Sequence, residues 1–159
     1  MRSVRLRRQA AAALVAAAAA VALPAGPAVA VFDPPTVLAR DPDYLKVRSM
    51  IEAETFESAL GLLLGLRTDF PREAEVHSLI GFSLRKLGRY DEALVSYLEA
   101  LSLDPEHLGA NEYLGELYVE TGRIDLARER LAVLERVCGT DCEEYRELAE
   151  AIAGAAAGD

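Results

Sequence analysis

"GRYDEALVSYLEALSLDP", Gly88 to Pro105, decides how this chain folds. Tyr90, Ala93, Leu94, Tyr97, Leu98, Ala100 and Leu101 recur at helical spacing, and Asp104-Pro105 ends the run. Ala93 is a small residue in the crowded part of that apolar face. A small residue there implies a neighbour that comes close, so the stretch reads as the second half of a larger unit.

The other half appears when the chain is laid on itself with an offset of 34 residues. Ala59, Ala93 and Ala127 then align, with Phe56, Tyr90 and Ile124 three places before them and Leu63, Tyr97 and Leu131 four places after. Upstream, Ile80-Gly81 aligns with Leu114-Gly115, and Gly88 with Gly122. A fixed period with matching residue types marks a repeat array. Each copy holds two apolar helical stripes divided by a turn at Glu54-Thr55, Gly88-Arg89 or Gly122-Arg123. The spacing predicts helices over 41–53, 56–69, 73–87, 90–103, 107–121 and 124–137, with no strand alternation anywhere.

These residues resemble the tetratricopeptide repeat family. The apolar-small pairs at Ile80-Gly81 and Leu114-Gly115 carry the likeness, with the aromatics Tyr90 and Tyr97, the alanines Ala59, Ala93, Ala100 and Ala127, and Asp104-Pro105. The middle copy, 74–107, matches well. The third, 108–141, departs at Cys138-Gly139, and the first, 40–73, has Lys46-Val47 where an apolar-small pair is expected. The resemblance implies an all-α, right-handed solenoid of about three helix-turn-helix repeats. It explains Gly81 and Ala93 as the close approach of two hairpin arms, and Ala100 as the seat of the next unit. One such unit cannot bury its own apolar face, so units stack.

After Val137 comes "CGTDCEEYRELAEAIAGAAAGD". Gly139 suits a helix end, and Thr140 or Asp141 can cap the next helix, with Glu143 or Glu144 three residues on. Tyr145, Leu148, Ala149 and Ile152 make one apolar face opposite acidic and basic residues, so 142–153 reads as a capping helix and 154–159 as a disordered tail. This ending resembles those of small exported tetratricopeptide proteins of Gram-negative bacteria.

At the other end, Arg2, Arg5, Arg7 and Arg8 precede an apolar run from Ala10 to Leu23, followed by Pro24 to Ala30 with Ala28-Val29-Ala30 at its close. A basic start, a short apolar core and an A-x-A ending read as a signal peptide over 1–30, cleaved after Ala30, with 31–39 an extended linker. An uncleaved anchor is the alternative, although the run is short of the ~20 residues a spanning helix needs. Arg7-Arg8 raises a twin-arginine route, but Gln9-Ala10-Ala11 lacks the large apolar residues usual there. Export places the protein in the periplasm or outside the cell.

Residues 31–159 carry 13 basic and 26 acidic residues, a net charge of −13. That argues against nucleic acid and against anionic membrane surfaces. Cys138 and Cys142 are an even pair in an exported chain and read as a disulfide pinning the cap. A redox-active pair and a zinc site stay open as alternatives, the latter needing His77 or His107 from other units.

No nucleophile elbow, phosphate loop or H-E-x-x-H motif is present, so neither catalysis nor a cofactor is expected. His77 is expected to pack at a unit junction and His107 to be solvated. The resemblance instead implies a concave groove lined by the first helix of each hairpin, and a protein or peptide partner. The matching positions are Tyr44, Arg48 and Glu52; Glu75, Ser78, Phe82, Arg85 and Lys86; and Gly109, Glu112, Tyr113, Glu116 and Glu120. Glu112, Glu116 and Glu120 form one stripe at i, i+4 and i+8, expected either as a solvated face or as an acidic wall for a basic segment. Two functions follow: a periplasmic adaptor, or an accessory subunit of an exported redox or envelope-assembly system with Cys138 and Cys142 as its thiol switch.

Overall fold

A computed structural model of the chain describes residues 37–157. A short 3-10 turn, Leu38–Arg40, leads into seven α-helices: α1 (Pro42–Glu52), α2 (Phe56–Asp69), α3 (Ala74–Lys86), α4 (Tyr90–Leu103), α5 (Leu108–Glu120), α6 (Ile124–Cys138) and α7 (Glu143–Ala157). The first six begin and end within one residue of the expected bounds.

Local chemistry sets these bounds. Asp41 caps α1, its carboxylate accepting from the N–H groups of Asp43 (2.9 Å) and Tyr44 (3.2 Å), with Pro42 in the first turn. The three hairpin turns share one backbone shape. Glu54, Gly88 and Gly122 all adopt positive φ (54°, 74° and 72°). The residue after each donates its N–H back to a carbonyl five residues earlier: Thr55 to Met50, Arg89 to Leu84, Arg123 to Tyr118. The first copy thus makes the same turn without the glycine.

Within each hairpin the two arms pack together, α1 on α2, α3 on α4 and α5 on α6, and the units then stack, α2 on α3, α4 on α5 and α6 on α7. Small residues open the contacts. A Cβ on Gly81 would stand 2.6 Å from the ring of Tyr97. So the notch at Gly81 is filled by Tyr97, itself fully buried, while Ala93 and Ala100 are buried nearby. Gly115 repeats the arrangement with a different partner, because a Cβ there would run into both methyl groups of Leu148 on α7. The capping helix therefore docks into the third unit as a neighbouring arm would, burying Leu148 and Ile152. Val47 is fully buried too, so the first repeat forms despite its Lys46-Val47 pair.

Two expectations are corrected. Leu38 is not part of an extended linker; it is buried, and the chain turns there. The capping helix does not stop at 153 but runs to Ala157, because Ala153 to Ala157 is almost all alanine, the best helix former. The signal peptide expected over 1–30, residues 31–36 and the last two residues lie outside the described part.

Candidate functional site: the groove formed by the first helices

α1, α3 and α5 supply one face, and the N-terminal end of α7 closes it. Between them lies a pocket of about 270 Å³ whose sides come from Arg48, Ile51 and Glu52 on α1 and Leu79 and Phe82 on α3, with Gly109 and Tyr113 on α5 and Glu144 on α7. Its floor is aromatic. The Phe82 ring centroid lies 4.8 Å from that of Tyr113 and 5.9 Å from that of Phe56, while Tyr113 lies 6.4 Å from Tyr97. These are tilted and edge-on arrangements, which aromatic quadrupoles favour. Lys86 and Arg85 both stand over the Phe82 ring, 5.3 Å and 5.6 Å from its centre.

At one edge Glu75 ties three units together. The Tyr44 hydroxyl donates to its carboxylate at 3.0 Å, Arg48 approaches to 3.8 Å, and His107 Nε2 lies 3.3 Å away. His107 is thus not solvated as expected. Its Nδ1 accepts the Ala110 N–H at 3.1 Å and caps α5, which leaves Nε2 as the protonated nitrogen facing Glu75. Burial by itself would raise the Glu75 pKa. Hydrogen bonds from His107 and Tyr44, with the charge of Arg48, outweigh it and hold the carboxyl below its usual range. His77 packs at a junction as expected, with Nδ1 3.0 Å from Glu99 and Nε2 3.1 Å from the Pro71 carbonyl.

The acidic stripe is corrected most. Arg85 does not reach into the groove; it is 5% exposed and spans from α3 to α5, where Glu116 and Glu120 (2.6 Å) both accept from it. The Tyr97 hydroxyl lies against the same guanidinium, outside full hydrogen-bond geometry. Glu112 is 4% exposed, covered by α7. Desolvation, the facing Glu147 and the charges of Glu116 and Glu144 push its carboxyl up to about 9. It is therefore a neutral acid at pH 7. One protonated carboxyl and one arginine leave the stripe with a single net negative charge rather than three. Ser78 is also withdrawn, at 1% exposed.

Of the groove residues read from the sequence, Arg48, Glu52, Glu75, Phe82, Gly109 and Tyr113 surround the pocket, and Tyr44 stands at its edge through Glu75. Ile51, Leu79 and Glu144 were missed. The periodic pattern contains the first two, as apolar positions of first helices, but it says nothing of how far α7 swings over α5. Cys138 and Cys142 are paired in the structure, at the turn between α6 and α7. Among the described residues the one group with metal-ligand spacing is this pair with Glu144, and its sulfurs are already joined. No helix among the described residues is long and apolar enough to cross a membrane.

The tetratricopeptide repeat family profile matches residues 84–152. No curated protein sequence matches the chain. Among solved structures, the TPR2B-domain:pHsp70 complex of yeast Sti1 superposes with a TM-score of 0.65 at 17% identity, over 74% of this chain and 95% of that one. The Yersinia enterocolitica type III secretion chaperone SycD, in complex with a peptide of the translocator YopD, gives 0.61 at 16% identity, over 73% and 88%. MamA from Desulfovibrio magneticus RS-1 gives 0.57 at 22% identity, over 63% and 57%. With the helix-hairpin stack, the repeated turn and the alanine-glycine notches already described, these likenesses give the described helices the tetratricopeptide-repeat fold, and residues 84–152 are similar to the family's own profile.

Proposed function

We propose that the chain is an adaptor that holds a segment of a protein partner against the Phe82–Tyr113 floor. One observation carries this reading: the pocket of about 270 Å³ on the first-helix face has an open aromatic and aliphatic floor between exposed charges of both signs. Aromatics in a partly enclosed pocket are the usual anchors of a binding surface. The Sti1 and SycD structures named above are complexes with pHsp70 and with a YopD peptide, which supports a peptide-sized partner here. The groove favours a segment with an apolar anchor flanked by mixed charge, since Arg48 and Lys86 stand near Glu52 and Glu144. A purely basic segment is a poorer match, because Arg85 and the protonated Glu112 together remove two of the stripe's three negative charges.

The basic leader and the cysteine pair support export, and we place the adaptor in the periplasm. Mass spectrometry of native protein should then find the N-terminus at Val31.

The binding reading is tested with a random peptide library panned on the protein. Selected peptides should bind Phe82→Ala at least about tenfold more weakly, the loss of a modest hot spot. Leu45→Asp, at an exposed position of α1 outside the pocket, should bind them unchanged. Peptides that bind Phe82→Ala as well as the parent protein rule out this groove.

A further inference from the structure

A second and larger groove lies between α2 and α4, with α3 as its floor. It measures about 480 Å³. Ile80 and Leu84 form the floor, Leu60 and Leu64 one wall, and Val95 the other, with Arg89, Glu92, Ser96 and Glu99 beside it. Leu64 and Val95 are 43% and 56% exposed, a large apolar exposure for adjacent walls of one trough. Above Gly61 and Gly65 there is open space, since a Cβ at either would have no atom within 4 Å. The repeats do not explain this groove, because the partner site faces the first helices and this one faces the second.

The residues that α2 turns towards the groove are Glu57, Leu60, Gly61, Leu64 and Arg67. Their order is self-complementary. Reversed about position 62, Glu57 falls on Arg67 and Leu60 on Leu64. A second α2 laid antiparallel across the first would set Glu57 opposite the other copy's Arg67 at both ends, about 15 Å apart along the axis by the helical rise. The leucines would meet between them, with Gly61 at the crossing where backbones come nearest. Among the described residues neither Glu57 nor Arg67 makes an ion pair: the ion pair of Arg89, which also feels the charge of Glu57, goes to Glu92. A two-fold contact needs this kind of patch, one that matches its own rotated copy.

We propose that the α2–α4 groove is the contact surface of a two-fold dimer, with α2 of a second copy lying antiparallel over Gly61 and Leu64. The dimer leaves the first-helix face free, so it stands or falls separately from the adaptor reading.

The test is sedimentation equilibrium of the intact chain over a concentration series. Glu57 and Arg67 are exposed, so exchanging their charges spares the core; far-UV circular dichroism checks each variant. The parent chain should dimerise. Glu57→Arg alone and Arg67→Glu alone should each weaken the dimer by about tenfold or more, as two pairs are lost and two repulsions gained. The double exchange should return it to within about threefold of the parent. Leu64→Asp should abolish association, and Leu45→Asp should leave it unchanged. A parent chain that stays monomeric at every concentration overturns the proposal and leaves the groove to another protein. So does a dimer that the single exchanges do not weaken, one that the double exchange fails to restore, or one that Leu45→Asp weakens equally.

Discussion

Arg85 on α3 and Glu120 on α5, 35 residues apart, meet at 2.6 Å, and Glu116 shares the same guanidinium. The two helices belong to successive repeats, so this contact fixes their register by charge where the apolar core fixes it only by shape. The guanidinium is buried and the carboxylates are partly exposed. That asymmetry predicts unequal costs. Removing both carboxylates, Glu116→Ala with Glu120→Ala, strands a buried cation and should cost about 3–5 kcal/mol. Arg85→Leu removes the cation, leaves its partners able to reach water, and should cost clearly less. Urea denaturation of both variants decides it; an equal or reversed order would mean that the guanidinium is not desolvated.

The glycine notches give a graded prediction. Gly81→Ala forces a methyl group into the ring of Tyr97, which is fully buried and has nowhere to move. The cost should reach the upper part of the ~1–3 kcal/mol typical of overpacking. Gly115→Ala meets Leu148 instead, whose flexible methyl groups and surface-helix position allow some retreat. It should cost less, and Leu148→Ala should partly relieve it. Thermal melts of the two single variants and the double variant measure this.

Much of this fold was legible because the 34-residue period is written in side-chain size. Small residues at Gly81, Ala93 and Ala127 mark contacts that any copy must make. The site was less legible, for a physical reason. A period tells which face a residue shares but not what reaches it from the next unit. Glu112, Glu116 and Glu120 do share a face, yet the charge of the last two is met by Arg85, 31 and 35 positions earlier, and that of Glu112 is set by α7 beyond the repeats. His107 was missed likewise, as its partner Glu75 lies one unit away.

Glu54 offers a stabilising change. It holds φ at 54° where the equivalent turns have Gly88 and Gly122. A side chain in that region costs roughly 1–2 kcal/mol, of which glycine's greater unfolded freedom returns part. Glu54→Gly should therefore raise stability by a few tenths to about 1 kcal/mol, while Gly88→Ala and Gly122→Ala should each lower it. A lower melting temperature for Glu54→Gly would count against the shared turn.

The cysteines come next. Protein taken from an oxidising compartment should show no titratable thiol, and a disulfide across so short a loop contributes about 2 kcal/mol in the chain-entropy model. Reduction should speed amide exchange in α7 more than in α4. Two free thiols in native periplasmic material would remove the structural role.

The last prediction turns on the buried face of α7. Glu112 on α5 meets Glu147, with Glu116 and Glu144 close by, and its folded pKa of about 9 lies far above the ordinary carboxylate value of about 4.3. The native state therefore binds a proton that the unfolded state releases across that window. Stability from this group is fully present below about pH 4.3 and is lost as pH rises through about 9, with a slope of at most about 1.4 kcal/mol per pH unit. Glu75 acts in the opposite sense: its depressed pKa gives stability that is lost on acidification. The two are separable by substitution. Glu112→Gln keeps a hydrogen-bond donor towards Glu147 and removes the proton uptake, so it should be more stable than the parent at pH 8 and nearly equal to it near pH 5. Its stability should also vary less between those values than the parent's. Denaturation at several pH values, with the parent beside the variant to cancel every group the two share, reads this directly. If Glu112→Gln is less stable than the parent at pH 8, the carboxyl is ionised in the folded state and α7 tolerates its charge.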